Sequence, residues 1–169
     1  MPSPQPVAER PHMPEYGVDT PDWQPLPWEW AAERLVVNRN YWVVTVSGSG
    51  RPHALPVWGV WDDDEHRFAF SCGHSSRKAR NIAANAAVVF ANSDTVECVS
   101  VEGVATILAE DDERRARWIE RYVEKYEPGS EVMAEFVSRH LVIEVEPDRA
   151  FGIVEREEAF STRATRWRF

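Results

Sequence analysis

The densest chemistry in this chain lies in the run Cys72-Gly73-His74-Ser75-Ser76-Arg77-Lys78-Ala79-Arg80-Asn81. Three cations in four residues, Arg77, Lys78 and Arg80, follow a Gly/Ser turn at the start of a helix predicted from about Arg77 to Ala84. The first turn of a helix carries unpaired N–H groups and a partial positive charge. Ser75 and Ser76 add hydroxyl donors, and Arg77 can make a two-pronged contact with an oxyanion. Such a set suits a phosphate. The same residues also read as a solvated basic helix face capped by Ser76, and the residues alone leave both readings open.

A second candidate is Pro52-His53-Ala54-Leu55-Pro56-Val57-Trp58-Gly59-Val60-Trp61. A proline inside a strand implies an edge or a bulge. Backbone groups there are free to meet a ligand, which points to Pro56, Val57 and Trp58, while Trp61 reads as core. The five histidines show no metal-ligand spacing, and Cys72 with Cys98 do not supply one, so no metal site is expected. A Cys72–His74 thiolate couple is disfavoured. No Walker loop, G-x-S-x-G or G-x-G-x-x-G occurs, and no nucleophile stands with its base. The catalytic residues therefore stay unassigned.

These segments must be positioned by the elements around them. Eight of the twelve prolines fall in residues 1–27, which reads as an N-terminal arm. Pro2 to Pro14 is expected to be disordered, and Trp23 to Trp28 extended and docked through its tryptophans. Pro27 suits the first position of a helix to about Arg39, with Trp28, Ala31, Ala32, Leu35 and Val36 as its apolar stripe. Strands follow at Tyr41–Val46, Ala54–Trp61, Arg67–Cys72, Ala87–Ala91 and Glu97–Ala109, with Gly103 as a bulge or kink. Asp111 would cap a helix over Asp112–Tyr126, with Ile119, Tyr122, Val123 and Tyr126 on its apolar face. Ser130 would cap a shorter one through about Val137. Two last strands, Leu141–Glu146 and Ala150–Val154, precede a polar tail. Tight turns between the early strands predict an antiparallel barrel with helices packed outside.

The whole chain sets further bounds. Its 169 residues make one domain, here 28–169 after the arm. The net charge is −9, from 28 acidic against 19 basic residues, which argues against a nucleic-acid or anionic-membrane partner. No apolar run approaches the ~18 residues of a membrane span. The N-terminus lacks a basic-then-apolar leader pattern, so a reducing cytoplasm is the expected location. Eight tryptophans imply large apolar faces, an oligomer interface or an aromatic-lined pocket.

The run Phe70 through Val88, centred on Ser76-Arg77-Lys78-Ala79, resembles the phosphate-binding turn of the pyridoxamine 5′-phosphate oxidase-like superfamily. The order of elements is also similar: a helix, a hairpin with Gly50-Arg51-Pro52-His53, the strand Leu55-Pro56-Val57-Trp58, then this turn. Within that superfamily the Pro-Val-Trp-Gly-Val-Trp strand and the Arg166-Trp167-Arg168-Phe169 terminus look most similar to the actinobacterial deazaflavin-dependent oxidoreductases. The resemblance implies a mainly β (α+β) split β-barrel, like FMN-binding proteins, with peripheral helices.

It further implies an oxidoreductase using coenzyme F420, with FMN as the alternative, on a small conjugated organic substrate. A non-catalytic flavin or haem carrier is the other alternative. Ser76, Arg77 and Lys78 would hold the cofactor phosphate, with Ser75 and Asn81 nearby, and the backbone of Pro56, Val57 and Trp58 would meet the ring edge. Trp167 and Arg168 would close the site from the partner of a homodimer with cofactor sites at its interface. Arg163, Arg166 and Arg168 could extend the positive patch toward an oligoglutamate tail. Pyridoxamine phosphate oxidases carry a flavin-contacting Arg where this chain has Leu55, and their C-terminal Arg-x-His is missing here. Both departures argue against pyridoxamine phosphate as substrate and weaken the case for FMN.

Overall fold

The computed structural model describes residues 3–18 and 20–169. Strands β1 (Val7–Glu9), β2 (Asn40–Val46), β3 (Pro52–Asp62), β4 (Arg67–Cys72), β5 (Ala87–Ala91), β6 (Glu97–Ile107), β7 (Leu141–Val154) and β8 (Thr165–Arg168) form one antiparallel sheet. Its order is β1-β8-β7-β4-β3-β2-β5-β6, and β6 also pairs with β7. The six strands from β7 round to β6 therefore close a barrel, and β8 and β1 extend from the far half of β7 as a flap. Inside lie Phe68, Phe70, Phe90, Val99, Val101, Ile143 and Val145, all essentially without solvent contact. Alternation along each strand puts these side chains inward and their neighbours outward.

Among the described residues five α-helices pack around the barrel: α1 (Trp28–Val37), α2 (Arg77–Ala84), α3 (Glu113–Tyr126), α4 (Glu131–Ser138) and α5 (Phe160–Arg163). On α1 the buried stripe is Trp28, Ala31, Ala32 and Leu35, whereas Val36 is exposed. Pro27 is the extended residue just before α1 rather than its first helical one. Asp112, not Asp111, caps α3, its carboxylate accepting from the Arg114 N–H at 3.0 Å. Trp118 and Tyr122 of α3 pack with Val137 of α4 onto Val60, Ala69 and Val142 of the outer barrel wall.

Two expectations are corrected by sheet geometry. The segments 141–146 and 150–154 are one strand, because β7 absorbs one extra residue, Asp148, between Pro147 and Arg149, opposite Gly103 and Glu102 of β6. The N-terminal segment is ordered from Ser3, not disordered through Pro14. Val7–Glu9 pairs with Arg168–Arg166, so the expected polar tail is itself a strand. The expectation for Pro2 lies outside the described residues. Trp23 docks as expected, its Nε1 donating to the Ala164 carbonyl at 2.8 Å. Among the described residues no helix is long and apolar enough to cross a membrane.

Candidate functional site

β4 ends at Cys72, and the turn Gly73–Ser76 swings directly into α2. The turn closes through a Ser76 N–H to Gly73 carbonyl bond of 3.0 Å. The His74 ring meets the Arg139 carbonyl at 3.2 Å, tying the turn to the entry of β7. Ser76 caps α2, its hydroxyl accepting from the Ala79 N–H at 3.2 Å. The remaining first-turn N–H groups, those of Arg77 and Lys78, have no partner within a helix and are left for water or a ligand.

Side-chain charge reinforces this. Arg34, Arg67, Arg114, Arg117, Arg121 and Arg156 all pair with carboxylates. Among the described residues Arg77, Lys78 and Arg80 have no ion pair. Arg80 bonds the Ser75 carbonyl, and Arg77 donates to His53 Nδ1 at 3.3 Å. Burial pushes the Cys72 thiol up, and the Ser76 hydrogen bond and the Lys78 charge offset that only in part, so Cys72 remains a thiol. His74 points to the backbone of Arg139, so the couple with Cys72 does not form.

The His53 contact seats the helix N-terminus against β3. From Pro52 to Trp58, β3 pairs with β2 along one edge, whereas β4 joins the other edge only from Gly59 onward. The backbone of Pro56 and Val57 therefore lies on an edge that no strand covers, whereas the Trp58 carbonyl there accepts from the Tyr122 hydroxyl of α3 at 3.1 Å. Pro56 is exposed, Val57 points into the core, and Trp58 stacks on Tyr126 at 4.8 Å with planes 9° apart. Leu55 is half exposed beside them.

The other expected residues fall elsewhere. Asn81 is buried on α2 and donates to Thr45 Oγ1 at 2.9 Å, so it anchors the helix to β2 rather than facing a ligand. Trp167 is not a lid. It is wholly buried in its own chain, edge-on to Trp28 at 5.6 Å and packed over Gly152, where any Cβ would lie 2.6 Å from its ring. Arg168 is exposed and paired with Glu9 at 2.9 Å. It stands opposite Arg149, eight residues along β7 from Leu141, which pairs with Cys72. At the rise of an extended chain that is roughly 26 Å. Arg168 thus cannot join the α2 turn of its own chain. Arg163 and Arg166 belong to the same far end, Arg166 sharing Glu9.

His53, Arg39, Lys125 and Tyr126 border this region and were missed. Arg39 and Lys125 lie in polar helix ends, and only the docking of α3 beside Trp58 brings them there. The one usable signal was Tyr126 on the apolar face of α3. Among the described residues no cluster of His, Cys, Asp and Glu could hold a metal ion.

Solved structures share this fold. A conserved hypothetical protein from Mycobacterium tuberculosis superposes with a TM-score of 0.70 at 20% identity, covering 83% of this chain and 92% of that one. A haem storage protein from Vibrio cholerae gives 0.56 at 20% identity, over 71% and 86% of the two chains. A structure described as an F420 reductase gives 0.55 at 22%, over 70% and 94%. No curated protein matches the sequence. The family model described as pyridoxamine 5′-phosphate oxidase matches residues 31–153, which span β2 to β7 and with them the α2 turn and the open edge of β3. The chain belongs to the pyridoxamine 5′-phosphate oxidase family.

Proposed function

We propose that this chain is an oxidoreductase that holds coenzyme F420 at the α2 turn and serves hydride transfer to a small conjugated organic substrate. The observation that carries the reading is the unpaired cation set Arg77, Lys78 and Arg80 at a capped helix N-terminus, in a chain whose net charge is −9. A local positive cluster kept free of carboxylates in an acidic protein suits a phosphate ester. Ser76, Arg77 and Lys78 would hold that phosphate, with Ser75 at the rim. The uncovered edge of β3 would turn the backbone of Pro56 and Val57 toward a planar heterocycle, while the Trp58 carbonyl is held by the Tyr122 hydroxyl and Trp58 contributes its ring. Leu55 puts no cation beside that heterocycle, which favours the deazaflavin over FMN.

When bound, the deazaflavin supplies the hydride chemistry, and the protein contributes orientation, charge and exclusion of water. No acid–base pair is then required of the side chains. Trp58 would form one wall of the ring site. Arg168 would reach it only from the partner of a homodimer.

Titration of the protein with coenzyme F420 and with FMN, followed by tryptophan fluorescence, tests the reading. F420 should bind at micromolar or lower concentration and FMN much more weakly. Lys78→Ala should weaken F420 by about 1.5–3 kcal/mol, roughly a ten- to hundredfold loss, as for a charged hydrogen bond. Tight FMN binding would move the protein to the flavin branch. Failure of both ligands, or an unaffected Lys78→Ala, would remove the cofactor site.

A further inference from the structure

At the other end of the open β3 edge, two more cations lack a counter-charge. The Arg39 guanidinium lies 5.2 Å from the Trp58 ring and 5.5 Å from the Tyr126 ring. The Lys125 ammonium donates to the Tyr41 hydroxyl at 2.6 Å and lies 4.8 Å from the Tyr41 ring and 5.6 Å from that of Tyr126. Among the described residues neither cation meets a carboxylate, although the chain carries 28 acidic side chains. Burial raises both phenols, so Tyr41 and Tyr126 offer Lys125 no charge.

This arrangement is costly for a structural role. Lys125 is half-buried, and an ammonium drawn out of water without an anion is destabilising. The Tyr126 hydroxyl meanwhile accepts from the Gly59 N–H at 2.7 Å, pinning the ring to β3 beside Trp58. Trp58 keeps 37% of its surface exposed, so one end of the stacked pair still faces outward. A ligand completing the cluster needs a flat apolar body and a negative end.

We propose that Arg39, Lys125 and the Trp58–Tyr126 pair bind a planar unsaturated carboxylic acid, the two cations taking its carboxylate and the rings its conjugated body. This deepens the function proposed above by giving the substrate class of that site. The acid is selected over its neutral analogues, because only a negative end relieves the half-buried Lys125 ammonium, with the exposed Arg39 adding a second positive charge beside the rings. β3 links the two halves: His53 at its start touches Arg77 of the phosphate turn, and Trp58, five residues on, opens the carboxylate cluster.

Isothermal titration of the full chain, free of any cofactor, with cinnamate and with cinnamamide tests this. Cinnamate should bind at least tenfold more tightly than the amide. Arg39→Gln and Lys125→Met should each weaken cinnamate at least fivefold while leaving the amide within twofold, and Lys125→Arg should retain the preference. Circular dichroism would confirm that each variant keeps its fold. Equal affinity for acid and amide, no cinnamate binding at millimolar concentration, or well-folded variants that bind cinnamate like the wild type would each overturn the proposal. Because no cofactor is present, a failure here leaves the F420 titration intact, and a failure of F420 to bind leaves this result readable.

Discussion

Lys125 is the residue at which folding and function pull in opposite directions. Burial pushes its ammonium down from an ordinary 10.5 to about 8. At neutral pH the group is charged in both the folded and the unfolded chain, so the folded state bears the full desolvation cost. Between about pH 8 and 10.5 the folded chain gives up its proton first and the unfolded chain holds more protons, so stability rises with pH through that window. Because part of the side chain is solvated, the gain should be only on the order of 1–2 kcal/mol. Urea unfolding of the wild type and Lys125→Met across pH 7–10.5 checks it: the wild type should gain relative to the variant as pH rises, and parallel curves would show that the ammonium is not desolvated. The contrast with Lys78 explains what was legible at this scale. The cations of the α2 turn are contiguous in the chain and their chemistry follows from local spacing. Arg39 and Lys125 are 86 positions apart in the numbering and come to the same ring, that of Tyr126, only through packing.

At the scale of elements, the bulge at Asp148, opposite Glu102 and Gly103, lets β7 serve two neighbours. The first half of β7 completes the barrel against β4 and the second half carries β8, with β6 alongside throughout. Gly103 makes this possible, because a Cβ there would sit 2.3 Å from the Glu146 carbonyl oxygen, a backbone atom that cannot swing aside. Gly103→Ala should therefore cost roughly 2–4 kcal/mol in urea unfolding, in the range of severe overpacking. A loss below half a kcal/mol would mean that the strands can part there without penalty. The sequence marked Gly103, where the register shifts, though the extra residue lies across from it on β7, and it bounded β4, α2 and β5 to the residue, since each is a short run between strong turn signals. It divided β7, because Pro147 reads locally as a break and nothing local reveals that the ladder resumes beyond the unpaired Asp148. The same blindness hid β1 and β8, whose pairing joins residues at opposite ends of the chain. The part of Trp167 in closing the site rests on resemblance alone, whereas alternation on β8 turns its side chain into the core of its own chain.

At the scale of the whole molecule, no helix among the described residues covers the outer face of β3, β2, β5 and β6 over Pro56, Trp42, Val44, Val89 and Val104. Their cross-strand registers put these side chains on one face, and Trp42 and Val104 are each nearly half exposed. The face continues through Glu102 and Arg149 to Arg168. Apolar patches of this kind mark association sites, and a two-fold pairing presents the same patch from both copies. Since each copy carries a charge of −9, long-range electrostatics oppose the pairing and the apolar strip must drive it. We therefore expect light scattering at tens of micromolar to give twice the 19.4 kDa chain mass, and Trp42→Glu to return it to one chain. If Arg168 reaches the partner's α2 turn across this face, Trp42→Glu and Arg168→Ala should both weaken F420, although neither residue lies near the turn in its own chain. A wild-type monomer that binds F420 at full strength would discard the dimer and, with it, any part for Arg168 in the site.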